Sequence, residues 1–276
     1  MPKYLSDETI RQFDEEGYAG PIRILPEPEM RAYRNRLESF EREHPDSAHK
    51  AFQSAHLLLP WLNELIYHPN FLNSMEDLLG PNLLCPTSGF RIKEPGDQAH
   101  AAWHQDAYYL RFEPVWTTCI LAFSAGTSDM GCIEVVPGSH RWGILDHAET
   151  EDTNSLLLRH QHIVNDFDES RARPIALNPG ELVVIHQRII HGSKANRSKE
   201  RRIYYLIDIM PSHSRRPGHR EIAMQVRGYD PYGHFQIIAR PEGAFGPESL
   251  AFHRSVVERR NLKTFEGSAK TSPAEM

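Results

Sequence analysis

The run Ala102-Trp103-His104-Gln105-Asp106 places an imidazole and a carboxylate two residues apart. On a strand, side chains alternate between faces, so His104 and Asp106 would share one face and could grip a single ion. A second imidazole from elsewhere in the chain would complete a two-histidine, one-carboxylate set. Such a set leaves open positions on the ion and suits non-haem Fe(II) and O2 chemistry.

Context must separate this pair from coincidence. With 16 histidines in the chain, about one His-x-Asp match is expected by chance. His44-Pro45-Asp46 is such a match. It closes the charged run from Arg31 to Glu41, and Pro45 marks a helix stop there, so His44 reads as a solvated helix end. His104 instead lies in a mixed polar and aromatic run that reads as a strand entering a loop.

For the third ligand, the stretch Leu182 to Ser193 offers His186 and His191. Either could serve chemically. His186 lies inside an apolar run, where a core histidine is the ordinary outcome; His191 precedes Gly192-Ser193 at a strand end opening into a polar loop. Residue types favour His191 only slightly. An anionic co-substrate would also need a cation, and arginine's planar fork can bond a carboxylate bidentately. Arg201 and Arg202 head the apolar run Ile203 to Ile207 with opposite parity, so only one can point inward. Arg201 reads as a solvated strand-end charge.

The elements that must position these residues divide in two. Up to about residue 80 the pattern is helical: Ser6 caps a helix through Glu16, Tyr18 to Leu25 is a strand, and a long helix runs from Pro28 to about Glu43. Amphipathic stretches follow at Trp61–Ile66 and Phe71–Leu79. From about 83 to 240 short strands dominate: Leu83–Thr87, Gly89–Glu94, Val115–Ser124, Cys132–Val136, Ile163–Asn165, Arg173–Ala176, Leu182–His186 and Arg202–Met210. Gly, Pro, Asn and Asp punctuate the gaps. This predicts a mainly β protein with N-terminal helices, its strands forming a jelly roll or other sandwich. The polar segment 144–168 is a candidate lid. One domain over 1–261 is expected, with a disordered tail at 262–276.

Composition fits an ordinary globular chain, with 39% hydrophobic and 25% charged residues in 276. A net charge of -6 gives no reason to expect nucleic acid or an anionic membrane as partner. No apolar run is long enough to span a bilayer, and the first residues lack the apolar core of a signal peptide. Cys85, Cys119 and Cys132 have no paired spacing and read as buried hydrophobes in a reducing cytoplasm.

Four segments, in order, resemble one family. They are Trp103-His104-Gln105-Asp106; Gly131-Cys132 through Pro137-Gly138-Ser139-His140; Asn178-Pro179-Gly180-Glu181-Leu182 followed by His191-Gly192-Ser193; and Asn196-x-Ser198 followed by Arg202. Together they resemble the phytanoyl-CoA dioxygenase (PhyH) family of Fe(II)- and 2-oxoglutarate-dependent oxygenases, from about Tyr18 to Met210.

The resemblance implies a double-stranded β-helix, cupin-like in form, with iron on His104, Asp106 and His191. It implies that Arg202, eleven residues past His191, pairs with the C5 carboxylate of 2-oxoglutarate and that Ser193 adds a hydroxyl bond. His186 matches a position that is not a ligand. The implied reaction consumes O2 and 2-oxoglutarate, releases succinate and CO2, and hydroxylates an unactivated carbon of a small molecule. Desaturation, epoxidation or cyclisation are rival outcomes, and a cupin-like metal-binding protein or isomerase without 2-oxoglutarate is a rival of another class. The carboxylate of Asp106 argues against halogenation.

Substrate residues are harder to read. Tyr108 and Tyr109, beside the metal motif, could line a pocket or pack in the core. The basic run carrying Arg215, Arg216 and Arg220 could hold an anionic substrate if it folds over the pocket mouth. Left in solution, the same run is a solvated loop.

Overall fold

The computed structural model describes residues 1–114, 116–218, 220–243, 245–266 and 268. The elements run α1 (Asp7–Glu16), β1 (Tyr18–Arg23), α2 (Glu27–Glu43), α3 (Ala55–Leu58), α4 (Leu62–Ile66), α5 (Pro69–Leu79), β2 (Leu83–Cys85), β3 (Ser88–Lys93) and β4 (Ala101–His104). Next come α6 (Ala107–Leu110), β5 (Thr117–Ala122), β6 (Ile133–Val135), β7 (His147–Glu149), β8 (Gln161–Ile163), β9 (Arg173–Ile175), β10 (Glu181–His186), β11 (His191–Ser193) and β12 (Arg202–Pro211). The chain continues through β13 (Ile222–Arg227) and β14 (Gln236–Ile238) to α7 (Pro247–Thr264). Ser6 caps α1 as its sequence predicts, accepting from the Thr9 amide at 3.1 Å.

The larger sheet has the order β1-β10-β5-β12-β2-β13-β14, with β3 also paired to β12. Facing it is a four-stranded sheet, β4-β11-β6-β9, and β7-β8 form a separate hairpin. Strand alternation divides the interior between the two faces of the larger sheet. Leu182, Val184, Cys119, Leu121, Ile203, Tyr205 and Ile207 point outward and pack with Met30, Leu37, Phe71 and Met75 of the N-terminal helices. Val183, Ile185, Ile120, Ala122 and Tyr204 point inward and meet Ile133 and Val135 of the smaller sheet. The result is a jelly roll, a double-stranded β-helix of cupin-like form, mainly β with helices on its outer face. All three cysteines are buried and unpaired, as expected.

Two expectations change. Asp106 does not stand on the strand with His104: β4 ends at His104 and Asp106 begins α6 with helical backbone angles. The boundary expected at residue 261 also falls inside an element, because α7 runs to Thr264, and Val256 and Phe265 are buried. Residues 267 and 269–276 of the expected tail lie outside the described residues. Among the described residues no helix is long and apolar enough to cross a membrane.

Candidate functional site

His104 and His191 are register partners across β4 and β11, with ring centroids 4.0 Å apart. The turn into α6 carries Asp106 between them: its Oδ1 lies 3.6 Å from His104 Nε2 and 3.8 Å from His191 Nε2. One ligand atom from each residue falls within 4.8 Å of the others. Each imidazole is oriented by its own strand. His104 Nδ1 bonds the Ala102 carbonyl at 2.8 Å and His191 Nδ1 the Ile189 carbonyl at 3.1 Å. A carbonyl only accepts, so both Nδ1 atoms carry a proton, and both Nε2 atoms point toward Asp106.

Electrostatics select the ligand forms. Burial, then the neighbouring His104, push His191 down to about 4, leaving it neutral. Burial opposes the Asp106 charge, but His191, His104 and a 3.1 Å bond from Thr118 Oγ1 outweigh it and hold the carboxyl well below the usual range. Two imidazoles and one carboxylate in a facial cluster fit a divalent iron.

The triad opens into a cavity of about 250 Å³ between the two sheets. Its wall on the larger sheet is one face of β12, Arg202, Tyr204, Leu206 and Asp208, flanked by Arg91 on β3 and by Thr118 and Ile120 on β5. At one end Arg202 is 2% exposed. Its Nη1 donates to the Gly131 carbonyl at 2.6 Å, its guanidinium lies over the Tyr204 ring at 4.3 Å, and its Nε has no partner. Beside it Lys93, 0% exposed, donates to Ser193 Oγ at 2.9 Å and to the Lys194 carbonyl. Burial, then the Arg202 charge, push Lys93 down to about 7. The Ser193 hydroxyl accepts from Lys93, so its own proton is free for an acceptor in the cavity. Arg202 and Lys93 are both buried without an ion pair among the described residues, an arrangement that an anion would complete.

The remaining sequence motifs support this frame. Gly131 has φ +65 and is packed so that a Cβ would run into the Lys194 carbonyl, which keeps its own carbonyl on Arg202. Ser139 Oγ accepts from the Ile190 amide at 2.8 Å, anchoring the residue before His191. Asn196 donates to the Lys93, Glu94 and Glu200 carbonyls and so clasps the loop before Arg202. His186 packs against Phe13 and His140, away from the triad, and His44 packs against Phe40 and Phe245. Arg201 is not the solvated charge the sequence indicates: its Nη atoms meet Glu41 at 2.7 Å and its Nε meets Glu94, tying β12 to α2.

The substrate candidates divide. Tyr109 lines the cavity, and Arg159 stands 4.0 Å over its ring. Tyr108 stacks on His147 at 4.3 Å, outside the lining. The basic run does not reach the cavity. Arg215 and Arg220 are exposed, and Arg216 bonds Glu221 and the Tyr109 carbonyl on the far side of α6. An isolated antiparallel bridge pairs Glu113 with Arg215. In its place the lining has three polar residues not singled out from sequence, Arg91, Asp208 and Arg260, with Lys93 behind Ser193. Arg91 and Lys93 share strand parity, as do Arg202 and Asp208, so the alternation could have found them. Arg260 stands on α7, which the sequence pattern did not reveal.

A facial His-Asp-His cluster inside a jelly roll, beside a buried arginine, is the arrangement of the non-haem iron, 2-oxoglutarate-dependent oxygenases. The chain belongs to the phytanoyl-CoA dioxygenase (PhyH) family, matched over residues 13–204. It is similar to a probable phytanoyl-CoA dioxygenase of Caenorhabditis elegans, 26% identical, covering 71% of this chain and 72% of that one. It is also similar to the L-proline trans-4-hydroxylase of Streptomyces griseoviridis, 27% identical over 77% of this chain and 91% of that one. Among solved structures, a non-heme monooxygenase, ThoJ in its apo form, superposes with a TM-score of 0.83 at 27% identity, covering 94% of this chain and 98% of that one. The protein is an enzyme of this class, with Fe(II), 2-oxoglutarate and O2 as its requirements.

Proposed function

We propose that the enzyme hydroxylates an unactivated carbon of a small, polar metabolite: R–H + 2-oxoglutarate + O2 gives R–OH + succinate + CO2. His104, Asp106 and His191 hold Fe(II), which when bound supplies the activation of O2 coupled to decarboxylation of 2-oxoglutarate. Arg202 holds the C5 carboxylate of 2-oxoglutarate through its free Nε side, and Ser193, itself held by Lys93, donates a second bond. The single observation that carries this reading is Arg202, a buried guanidinium with an unpartnered Nε at the end of the triad's own cavity.

Other residues exclude water and position the substrate. Segment 144–168 lies over the cavity: Leu156, Leu157, Leu158, Arg159 and Gln161 line it. Arg159 joins Glu149 and reaches the Thr264 carbonyl at 3.3 Å, so the proposed lid is pinned to α7. Closure of this kind protects a reactive site from bulk water. The small cavity volume favours a substrate of few atoms. Hydroxylation, rather than desaturation or cyclisation, is supported by the proline hydroxylase among the relatives. Buried, unpaired cysteines fit a cytoplasmic site of action.

The test is anaerobic addition of Fe(II) and 2-oxoglutarate, which should give the weak visible charge-transfer band of the chelate. Arg202→Ala should require far more 2-oxoglutarate to reach it. A wild-type protein that shows no band at saturating 2-oxoglutarate would sink the reading.

A further inference from the structure

Besides Arg202, the cavity is lined by ionisable groups of both signs that form no ion pair within salt-bridge distance among the described residues. Asp208 is 9% exposed and lies opposite Thr118 in the β12–β5 register. Thr118 bonds Asp106, so Asp208 stands one side chain away from the iron ligands. Arg91 donates through Nη1 to the Phe52 and Phe90 carbonyls at 3.0 Å. Arg260 donates to Ser54 Oγ at 3.0 Å and to the Pro86 carbonyl. These acceptors are all neutral, and each guanidinium has five N–H donors. Among the described residues, neither Arg91 nor Arg260 is ion-paired, and Asp208 has no cation within salt-bridge distance. All three side chains line the cavity.

Each such group is costly in a low-dielectric interior until a counter-charge arrives. The carboxyl of Asp208 records that cost: burial, then Asp106, push it up to about 8. A monoanion would satisfy the arginines and leave Asp208 unpaired. A monocation would do the reverse. One small ligand carrying both charges repairs both ends at once.

We propose that the substrate is a small zwitterion, an amino acid or close analogue, whose carboxylate is held by Arg260 and Arg91 and whose ammonium is held by Asp208. The proposal rests on the 2-oxoglutarate reading above and adds to it the substrate class. Asp208, one threonine from Asp106, then places the carbons next to the ammonium against the metal site. The cavity volume of about 250 Å³ suits such a ligand beside 2-oxoglutarate.

The experiment uses the whole chain loaded with Fe(II) and 2-oxoglutarate. Free α-, β- and γ-amino acids are screened beside their N-acetyl and carboxamide forms, reading substrate-stimulated succinate and a product heavier by one oxygen. At least one free amino acid should stimulate succinate release. Masking either charge of that compound should raise its KM about 30-fold or more, the loss typical of one partner of a buried charge pair. Asp208→Asn should hurt the free amino acid far more than Arg91→Gln changes the 2-oxoglutarate requirement, and Arg260→Gln should narrow the gap between the free acid and its carboxamide. Equal stimulation by a free acid and its N-acetyl form overturns the proposal. So does an absence of stimulation by every zwitterion while the anaerobic visible band is present. An absent band instead sinks the iron–2-oxoglutarate reading, and this proposal with it, so the two failures are told apart by one spectrum. Wild-type protein and its ligand panel decide the question even if a variant fails to fold.

Discussion

The two faces of β12 differ in what they do with the same backbone. Ile203, Tyr205, Ile207 and Ile209 are 0% exposed and packed against the helix-backed core. Arg202, Tyr204, Leu206 and Asp208, in the alternate positions, line the cavity. The outward face gains free energy from burial of apolar surface. The inward face leaves the Arg202 Nε and the Tyr204 hydroxyl without partners. Unpaired buried polar groups destabilise the ligand-free fold, and they persist where a ligand completes them. The stability of one face therefore supports the unsatisfied chemistry of the other.

The comparison breaks most sharply at the metal. His104→Ala, Asp106→Ala or His191→Ala should reduce succinate formation to background while circular dichroism still reports a folded protein, because no outward-facing core residue is touched. A variant of the three that keeps wild-type turnover would show that the cluster is not the metal site. Next in size is Arg202→Ala. It should raise the 2-oxoglutarate KM about 30-fold or more, the equivalent of roughly 2–5 kcal/mol for one partner of a buried charged contact. On the opposite face, Ile207→Ala should lower unfolding free energy by about 2–5 kcal/mol, as cavity-forming core substitutions do. Its urea midpoint should fall with the slope unchanged, and the folded fraction should keep its 2-oxoglutarate KM. A KM shift there would mean that the faces are not separable.

Smaller effects sharpen the contrast. Arg201→Ala removes the contacts to Glu41 and Glu94, which are partly exposed, and should cost about 0.2–1 kcal/mol of stability with no change in 2-oxoglutarate affinity. A KM shift equal to that of Arg202→Ala would show the parity of β12 to be wrong. Smallest of all, His186→Ala and His44→Ala should retain iron at wild-type stoichiometry, measured by metal analysis. Iron lost on either substitution would reassign the ligands.

Much of this was legible in the residues. Alternation in the run from Arg202 to Met210 assigned its core face, and the Gly, Pro and Asn turns marked the strands of the jelly roll, because both depend on local sterics and burial. His104 and Asp106 do come together, but by a different route from the one the spacing indicated. A strand passing into a helical turn also brings residues two apart within reach, and sequence spacing alone does not distinguish the two. The choice of His191 over His186 rested mainly on the family resemblance, since residue types favoured His191 only slightly. Arg215, Arg216 and Arg220 looked like substrate residues because they form a charge cluster in sequence. They stay out of the cavity lining, while Arg260, 49 residues beyond the end of β12, comes in on α7.

The sequence by itself determined the period-two faces of the strands, the helix caps, and a set of ligand types suited to iron. These follow from covalent geometry and local hydrogen bonding, which act over a few residues. Tertiary structure alone decided which histidines stand in register across β4 and β11, that Lys93 lies behind Ser193, and that Asp208, Arg91 and Arg260 line one cavity. Those outcomes depend on sheet register and on the docking of α7. They are fixed by the packing of surfaces distant in sequence, and no local pattern encodes them.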